Sequence, residues 1–266
     1  MPVSLADKKK NLEEIIGREQ QVAVACSGGV DSTLVLKVAH DVLGHENTIA
    51  VFADTPLLPS GESETVREVV DKIGSRLLIV RLDPFSWPEF TANPLERCYL
   101  CKKKIYQSFQ EKLAEKKFNI LMDGTNLEDL SDFRPGLKAL DELKVKTPLA
   151  DAGLIKKEVR KLSRELDLPN WNKHSASCLA TRIATGQPIS LEKLDIIQRC
   201  ENLLQDFGFM GCRVRLSDDS AVIELLEKDM ESFIRYATRM SVMKKLNDFG
   251  FKKVFLSMSG RKGILL

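Results

Sequence analysis

The sequence predicts an α/β fold, with a doubly wound and mostly parallel sheet followed by a smaller α+β domain. Short β-rich runs alternate with amphipathic helices up to Leu166, which is the pattern of successive βαβ units. A glycine-rich turn at 27–29 joins the first strand to a helix. After Ser190 the alternation stops, and a strand hairpin appears between two helices.

Hydrophobic periodicity defines the elements of the first domain in order. Predicted helices cover residues 5–16, 32–43, 62–73, 102–117 and 155–166, and predicted strands cover 21–26, 48–53, 77–82 and 119–122. Residues 83–95 contain three prolines and are predicted to be irregular. Strands separated by helices of this length favour parallel pairing within one sheet.

The second domain begins after a loop-like stretch at 170–190 that is rich in Ser, Ala and Thr. It is predicted to contain helices at 191–207 and 230–249 and strands at 212–216, 221–226 and 253–258. The first two of these strands form the predicted hairpin. We therefore predict one domain over 1–190 and a second over 191–266.

Composition narrows the class of protein. The chain has 266 residues, 43% of them hydrophobic, which is enough for a substantial core. Forty basic against 38 acidic residues give a net charge of +2, which argues against a nucleic-acid-binding protein. With neither a bilayer-spanning apolar run nor a secretory signal, we expect a cytoplasmic protein without disulfides. The isolated cysteines are predicted to be buried: Cys26, Cys200 and Cys212.

The glycine-rich turn predicts a phosphate site. Its residues are Ser27, Gly28, Gly29, Val30, Asp31 and Ser32. Two glycines allow a tight turn, and the exposed N–H groups at a helix N-terminus attract anions. A carboxylate inside an anion site favours a bound cation, so Asp31 predicts Mg²⁺. The alternative is an ordinary strand-to-helix turn with a serine cap; a Walker loop is excluded because no Gly-Lys-Ser/Thr follows.

Three cysteines form the second pattern. Cys98 and Cys101 make a CxxC motif at the start of a basic helix, and Cys178 lies in a separate loop. Such thiolates suit a soft metal or redox chemistry. Nearby Arg182 is expected to lower the pKa of Cys178 and favour its nucleophilic thiolate. Two alternatives remain: a zinc site with His174 as the fourth ligand, or unrelated buried thiols.

Further polar residues stand where open α/β sheets bind ligands. Asp123 and Gly124 end the predicted strand 119–122, and Arg134 follows in the string 132–136. We predict that these residues line the nucleotide site.

Two arginines of the second domain are predicted to bind a phosphate group. Arg213 and Arg215 share one face of a predicted strand, because residues two apart point the same way. Glu201 and Glu224 either position these arginines or are surface charges. The alternative for the arginine pair is a solvated strand face.

The motifs together carry a family resemblance. The turn 27–32 resembles the PP-loop of ATP pyrophosphatases, which cleave ATP between its α and β phosphates. Along nearly the whole chain, the strings SGGVDSTL, ERCYLCK, DGTN, DFRPGL, GLIKKEVR, LPNWNK, SCLATR and RVR resemble the LarE family of ATP-dependent sulfur transferases in nickel-pincer nucleotide biosynthesis. Residues 183–186 depart from the family, whose members tend to have an aromatic residue before Gly186.

The resemblance implies an adenine nucleotide domain of the PP-loop type, a smaller C-terminal domain and a homo-oligomer, reportedly a hexamer. The implied substrate is a pyridinium nucleotide with two carboxylates. Each carboxylate is activated with ATP and Mg²⁺ and becomes a thiocarboxylate. The resemblance assigns catalysis to Asp31 and Cys178, and ligand binding to the turn 27–32 and to Arg182.

The sulfur source differs between family members. In one type a cysteine matching Cys178 gives up its own sulfur and becomes dehydroalanine. In the other, three cysteines bind a [4Fe–4S] cluster that carries an extra sulfide. This chain has the three-cysteine set, Cys98, Cys101 and Cys178, so we favour the cluster type. Rival hypotheses are a tRNA-thiolating PP-loop enzyme and a non-catalytic zinc- or nucleotide-binding module.

Overall fold

The computed structural model describes residues 4–131, 135–174, 177–217 and 220–261, without the side chains of 236–238. Its α-helices are α1 (Leu5–Gly17), α2 (Val30–Leu43), α3 (Glu62–Ile73), α4 (Pro88–Thr91), α5 (Arg97–Ala114), α6 (Leu127–Ser131), α7 (Pro135–Glu142), α8 (Pro148–Asp151), α9 (Lys156–Glu165), α10 (Leu191–Asp206), α11 (Met230–Ile234) and α12 (Tyr236–Asp248). Its strands are β1 (Val22–Ala25), β2 (Thr48–Asp54), β3 (Arg76–Arg81), β4 (Leu121–Met122), β5 (Arg213–Ser217), β6 (Ser220–Glu224) and β7 (Lys253–Leu256).

The first sheet confirms the predicted α/β fold. Its strand order is β3-β2-β1-β4, and every pair is parallel. Lys146 adds a bridge at the β4 edge, where its N–H donates to the Leu121 carbonyl at 2.9 Å. The chain passes from β1 to β2 on one side and returns to β4 on the other. The carboxyl ends of β1 and β4 therefore flank the switch point, where ligands bind in such sheets.

Strand β1 is buried on both faces. Val22 and Val24 pack into a core with α1, α2 and α9, whereas Ala23 and Ala25 face a second core with α5. Because side chains alternate along a strand, one four-residue strand contributes to both layers of the sandwich. This burial fixes the position of the turn that follows β1.

The second sheet has the order β5-β6-β7. Strands β5 and β6 are the predicted antiparallel hairpin, and β7 joins β6 in parallel after α11 and α12. Its core contains Leu179, Ile197 and Ile223, and it also includes Leu57 and Phe90 from the first part of the chain. The boundary near residue 190 stays a prediction. Among the described residues, no helix combines the length and apolar character that a bilayer crossing requires.

Several element bounds differ from the prediction. Helix α5 begins at Arg97 instead of 102, so the CxxC motif lies inside a helix. The helix predicted over 230–249 is two helices, because Arg235 adopts an extended ψ of 133° between them. The stretch 127–151, for which no element was predicted, contains the short helices α6, α7 and α8.

Candidate functional site

The turn after β1 is shaped as a phosphate-binding loop. Gly28 has a φ of +71°, and a Cβ there would lie 2.9 Å from Val66 Cγ2, so only glycine fits. The Ser27 N–H donates to Ser32 Oγ at 3.2 Å, and Ser32 Oγ donates to the Gly29 carbonyl at 3.2 Å. These bonds tie the loop to the first turn of α2, whose N-terminus faces a cleft.

Asp31 lies in the first turn of α2, with one-fifth of its side chain exposed. Asn126 Nδ2 donates to its Oδ1 at 3.1 Å, and Lys156 Nζ is 4.0 Å from its Oδ2. Burial raises the pKa of Asp31, against the opposing influence of Lys156 and Asn126. Its carboxylate lines the cleft beside the loop, where a cation bound to phosphate would be held.

Gly124 packs directly against the loop helix. A Cβ on Gly124 would lie 2.5 Å from Ser32 N and 2.9 Å from the carbonyl carbon of Asp31. Backbone atoms at that distance leave no room for a side chain. The segment after β4 therefore supports the first turn of α2 from the switch-point side.

Replacing Gly124 by alanine is expected to destabilise the fold by about 1–3 kcal/mol, because the added methyl displaces backbone of α2. Urea unfolding would measure this free energy. Gly17→Ala is the matched control, since a Cβ there meets only Val42 Cγ1 at 3.4 Å. Equal unfolding free energies for the two variants would contradict the close packing.

Asp123, which was predicted to face the ligand, lies buried behind the loop. Lys102 Nζ is 3.1 Å from its Oδ2, Tyr106 donates to the same oxygen, and the Thr125 N–H donates to Oδ1 at 2.7 Å. Burial would raise the pKa of Asp123, but Lys102, Thr125 and Tyr106 together lower it below its usual range. Both oxygens bond protein groups, so Asp123 links α5 to the end of β4.

The three motif cysteines are brought together. Cys98 is exposed on α5, Cys101 is half-buried on the same helix, and Cys178 precedes a short 3₁₀ helix at Leu179–Arg182. Burial raises the pKa of Cys101 to about 12, and the neighbouring Cys178 and Cys98 raise it further. Such mutual influence requires the thiols to be near neighbours. Within the described residues, no three His, Cys, Asp or Glu side chains are arranged to share one metal ion.

The expectation that Arg182 would favour the Cys178 thiolate is wrong. Burial raises the pKa of the Cys178 thiol, and this effect exceeds the opposing influence of the Ala180 N–H, Arg97 and Arg182. A buried thiol without a dominant cation stays protonated.

Arg182 instead forms a buried ion pair with Glu201, and both side chains are 4% exposed. Arg182 Nε lies 2.8 Å from Glu201 Oε1, and Nη2 lies 3.1 Å from Oε2. Arg182 Nη1 donates to the Ser177 carbonyl at 2.9 Å, and Glu201 Oε1 accepts from the Val214 N–H at 3.0 Å. This network joins the Cys178 segment to α10 and β5.

Arg213 and Arg215 share one side of β5, as predicted, but their surroundings differ. Arg215 bonds Glu224 and donates to the Thr181 carbonyl at 2.8 Å. Within the described part of the chain, no acceptor lies in hydrogen-bond range of the Arg213 guanidinium. Burial lowers the pKa of Arg213 to about 10, with further lowering from Arg261 and other arginines. Arg213 is therefore the guanidinium available to an anion.

The hypothesis that acidic residues position these arginines is half confirmed. Glu224 fixes Arg215 on the neighbouring strand. Glu201 holds Arg182, not an arginine of β5. Neither glutamate is a solvated surface charge.

Two clefts meet at this site. The phosphate-loop cleft is bounded by Ser27, Gly29, Asp31, Lys156 and Arg160. The arginine cleft is bounded by Arg182, Arg213 and Arg261, among others. Both clefts share Glu62, Lys173 and His174. A nucleotide on the loop and an anionic group on the arginines would thus be neighbours.

Comparison with known proteins places the chain. A family model described as NAD synthase matches residues 7–91. An uncharacterised protein of Synechocystis is 37% identical over 256 residues, covering 96% of this chain and 95% of its own length. The pyridinium-3,5-bisthiocarboxylic acid mononucleotide synthase of Lactiplantibacillus plantarum is 34% identical over 257 residues, covering 97% and 92%. The chain belongs to the LarE family.

The LarE family lies within the PP-loop enzymes, and the weaker matches agree with this. One of the polypeptides of the glutamine-hydrolysing GMP synthase of Methanocaldococcus jannaschii is 32% identical over 181 residues, which cover 62% of this chain and 57% of that protein. The shared part is thus less than the whole chain, whereas the LarE-family likeness extends nearly from end to end.

Sequence reasoning missed several residues of this LarE-family site. Lys173 and Asn170 lie in the string LPNWNK, to which no role was given. Glu62 lies at the start of α3, where it gave no signal beyond an acidic helix start. Arg134 lies outside the described residues, so its predicted role stays a prediction.

Proposed function

We propose that this chain adenylates the carboxylates of a pyridinium dicarboxylate mononucleotide with ATP and converts them to thiocarboxylates for nickel-pincer nucleotide synthesis. The likeness to the Lactiplantibacillus plantarum synthase supports this substrate. The observation that carries the proposal is the meeting of the two clefts at Glu62, Lys173 and His174. One cleft suits a triphosphate, and the other suits the phosphate of a mononucleotide.

In the activation step a substrate carboxylate oxygen bonds the α-phosphorus. The bond to the α–β bridging oxygen breaks, and pyrophosphate leaves with its electron pair. The loop N–H groups and the N-terminus of α2 would bind the pyrophosphate. Asp31 would hold Mg²⁺, which when bound neutralises charge on the phosphates.

The substrate phosphate is proposed to bind at β5. Arg213 supplies a guanidinium without a protein acceptor among the described residues, and Arg261 adds positive charge at the same cleft. Arg215, held by Glu224, contributes charge from a fixed position. Two planar guanidinium groups near one phosphate allow paired hydrogen bonds.

The cysteines fit an iron–sulfur cluster by donor chemistry. Three neighbouring thiols, Cys98, Cys101 and Cys178, would hold three irons and leave one without a protein ligand. When bound, the cluster supplies the sulfur that replaces AMP on the activated carbonyl. Cys101 and Cys178 pack against the second core, and we expect this packing to limit water access on that side.

The tRNA-thiolating alternative has less support. It requires an open basic surface, for which the lysine-rich helix α5 is the natural candidate. Instead, Lys103 lies 2.7 Å from Glu142, and Lys104 lies 2.6 Å from Glu89. These lysines are neutralised in pairs. The cytoplasmic location and the homo-oligomer stay predictions.

Anaerobic reconstitution with iron and sulfide, followed by mass spectrometry, tests the proposal. With ATP, Mg²⁺ and the pyridinium dicarboxylate mononucleotide, we expect product in which sulfur replaces carboxylate oxygen, and Cys178 of unchanged mass. A brown protein with visible absorbance would distinguish the cluster from zinc. Loss of the mass of H₂S from Cys178 would instead support the sacrificial-cysteine alternative, and absence of thiocarboxylate would contradict the proposal.

A further inference from the structure

Lys173 lies over the phosphate loop. A Cβ built on Gly28 would be 3.8 Å from Lys173 Nζ, so the ammonium group stands directly above the tightest point of the turn. The same Nζ is 2.7 Å from Glu62 Oε2. The side chains of Lys173 and Glu62 are only 23% and 12% exposed, which shows a held charge rather than a mobile surface lysine.

The turn that carries Lys173 is tied to the loop by its backbone. Asn170 Nδ2 donates to the Gly28 carbonyl at 3.0 Å and to Thr33 Oγ1 at 2.8 Å. The Lys173 N–H donates to the Asn170 carbonyl at 2.9 Å, and Arg160 Nη2 donates to the Lys173 carbonyl at 3.0 Å. The position of Lys173 relative to Gly28 is therefore set by buried hydrogen bonds.

The donors of the cleft identify Lys173 as available for a ligand. Both terminal nitrogens of Arg160 already donate to main-chain carbonyls, those of Trp171 and Lys173. Lys156 is directed toward Asp31. An ammonium group has three N–H donors, and within the described residues Glu62 accepts from Lys173 through one oxygen. The remaining donors can bond phosphate oxygens while Glu62 keeps the group in place.

We propose that Lys173 binds the β- and γ-phosphates of ATP, and that Glu62 is its positioning residue. The inference rests on the proposed function, because the loop under Lys173 is where the leaving pyrophosphate would sit. A cation at that place stabilises the charge that develops on the departing pyrophosphate. The α-phosphate, which stays with AMP, gains little from it.

Isothermal titration of Lys173→Met with ATP, pyrophosphate and AMP tests this assignment. Loss of a charge-assisted contact is expected to weaken ATP and pyrophosphate about 10- to 100-fold. AMP affinity should stay close to that of the wild type. Glu62→Gln keeps the ammonium charge but loosens it, so ATP should weaken less than in Lys173→Met.

Lys8→Met is the matched control. Lys8 pairs with Glu158 at 2.8 Å with side-chain exposures of 18% and 23%, similar to the Lys173 pair, but it lines neither cleft. Unchanged ATP affinity in Lys173→Met, or an equal loss for ATP and AMP, would overturn the assignment while leaving the proposed function intact. A wild-type protein that binds no ATP would overturn both.

Discussion

Asp31→Ala is expected to reduce pyrophosphate release by about 10³-fold or more, since a phosphate-bound cation contributes several kcal/mol to such transition states. The carboxylate lines the phosphate-loop cleft and is held by Asn126 and Lys156. Without it, Mg²⁺ loses its protein ligand beside the loop, and the triphosphate keeps its full charge. Enzyme-coupled detection of pyrophosphate measures the effect.

Two further variants separate this role from a structural one. Asp31→Asn keeps an oxygen that can accept from Asn126, so it should fold normally and still fail to release pyrophosphate. Asp41→Ala removes an exposed carboxylate from the same helix and should release pyrophosphate like the wild type. Wild-type release by Asp31→Ala would remove Asp31 from the proposed Mg²⁺ site.

Cys178→Ala is expected to abolish sulfur transfer while adenylation remains measurable. Cys178 is grouped with the other motif thiols, whereas the phosphate loop is built from a separate segment. The two half-reactions should therefore separate. Mass spectrometry detects the thiocarboxylate, and pyrophosphate release reports adenylation in the same sample.

Three other cysteine variants sharpen the result. Cys98→Ala and Cys101→Ala should also abolish transfer if the thiols hold a cluster, but should permit it if Cys178 is a sacrificial donor. Cys200→Ala alters a buried thiol in the core of the second sheet and should retain transfer. Thiocarboxylate formation by Cys178→Ala would defeat both versions of the sulfur source.

The parallel sheet and its loop were predictable because their signals are local. The buried run before Ser27, the two glycines and the following amphipathic helix lie within a short stretch of chain, so periodicity and turn chemistry suffice. The need for Gly28 follows partly from its positive φ. Its contact with Val66 depends on the packing of α3 and could not be predicted from the sequence.

The short helices of 127–151 were missed because one or two turns give too few residues for a periodic pattern. The start of α5 was missed for a related reason, since 83–95 is rich in proline and the helix begins immediately after Pro94. The break at Arg235 is a single extended residue inside an otherwise helical pattern.

The charge partners of the site required the fold. Arg182 is adjacent in sequence to the Cys178 loop, which suggested an effect on the thiol, yet its guanidinium turns to Glu201 on α10. Arg213 and Arg215 are equivalent by spacing, but only Arg215 meets Glu224. Lys173 is brought to Gly28 by the return of the chain after α9, a contact that no local pattern encodes.

The most direct test of the account is the identity of the nucleotide produced from ATP. Purified protein incubated with ATP, Mg²⁺ and the pyridinium dicarboxylate mononucleotide, then separated by ion-exchange chromatography, should yield AMP and pyrophosphate in equal amounts. Formation of ADP and inorganic phosphate would contradict cleavage at the inner anhydride and with it the assigned role of the loop at 27–32.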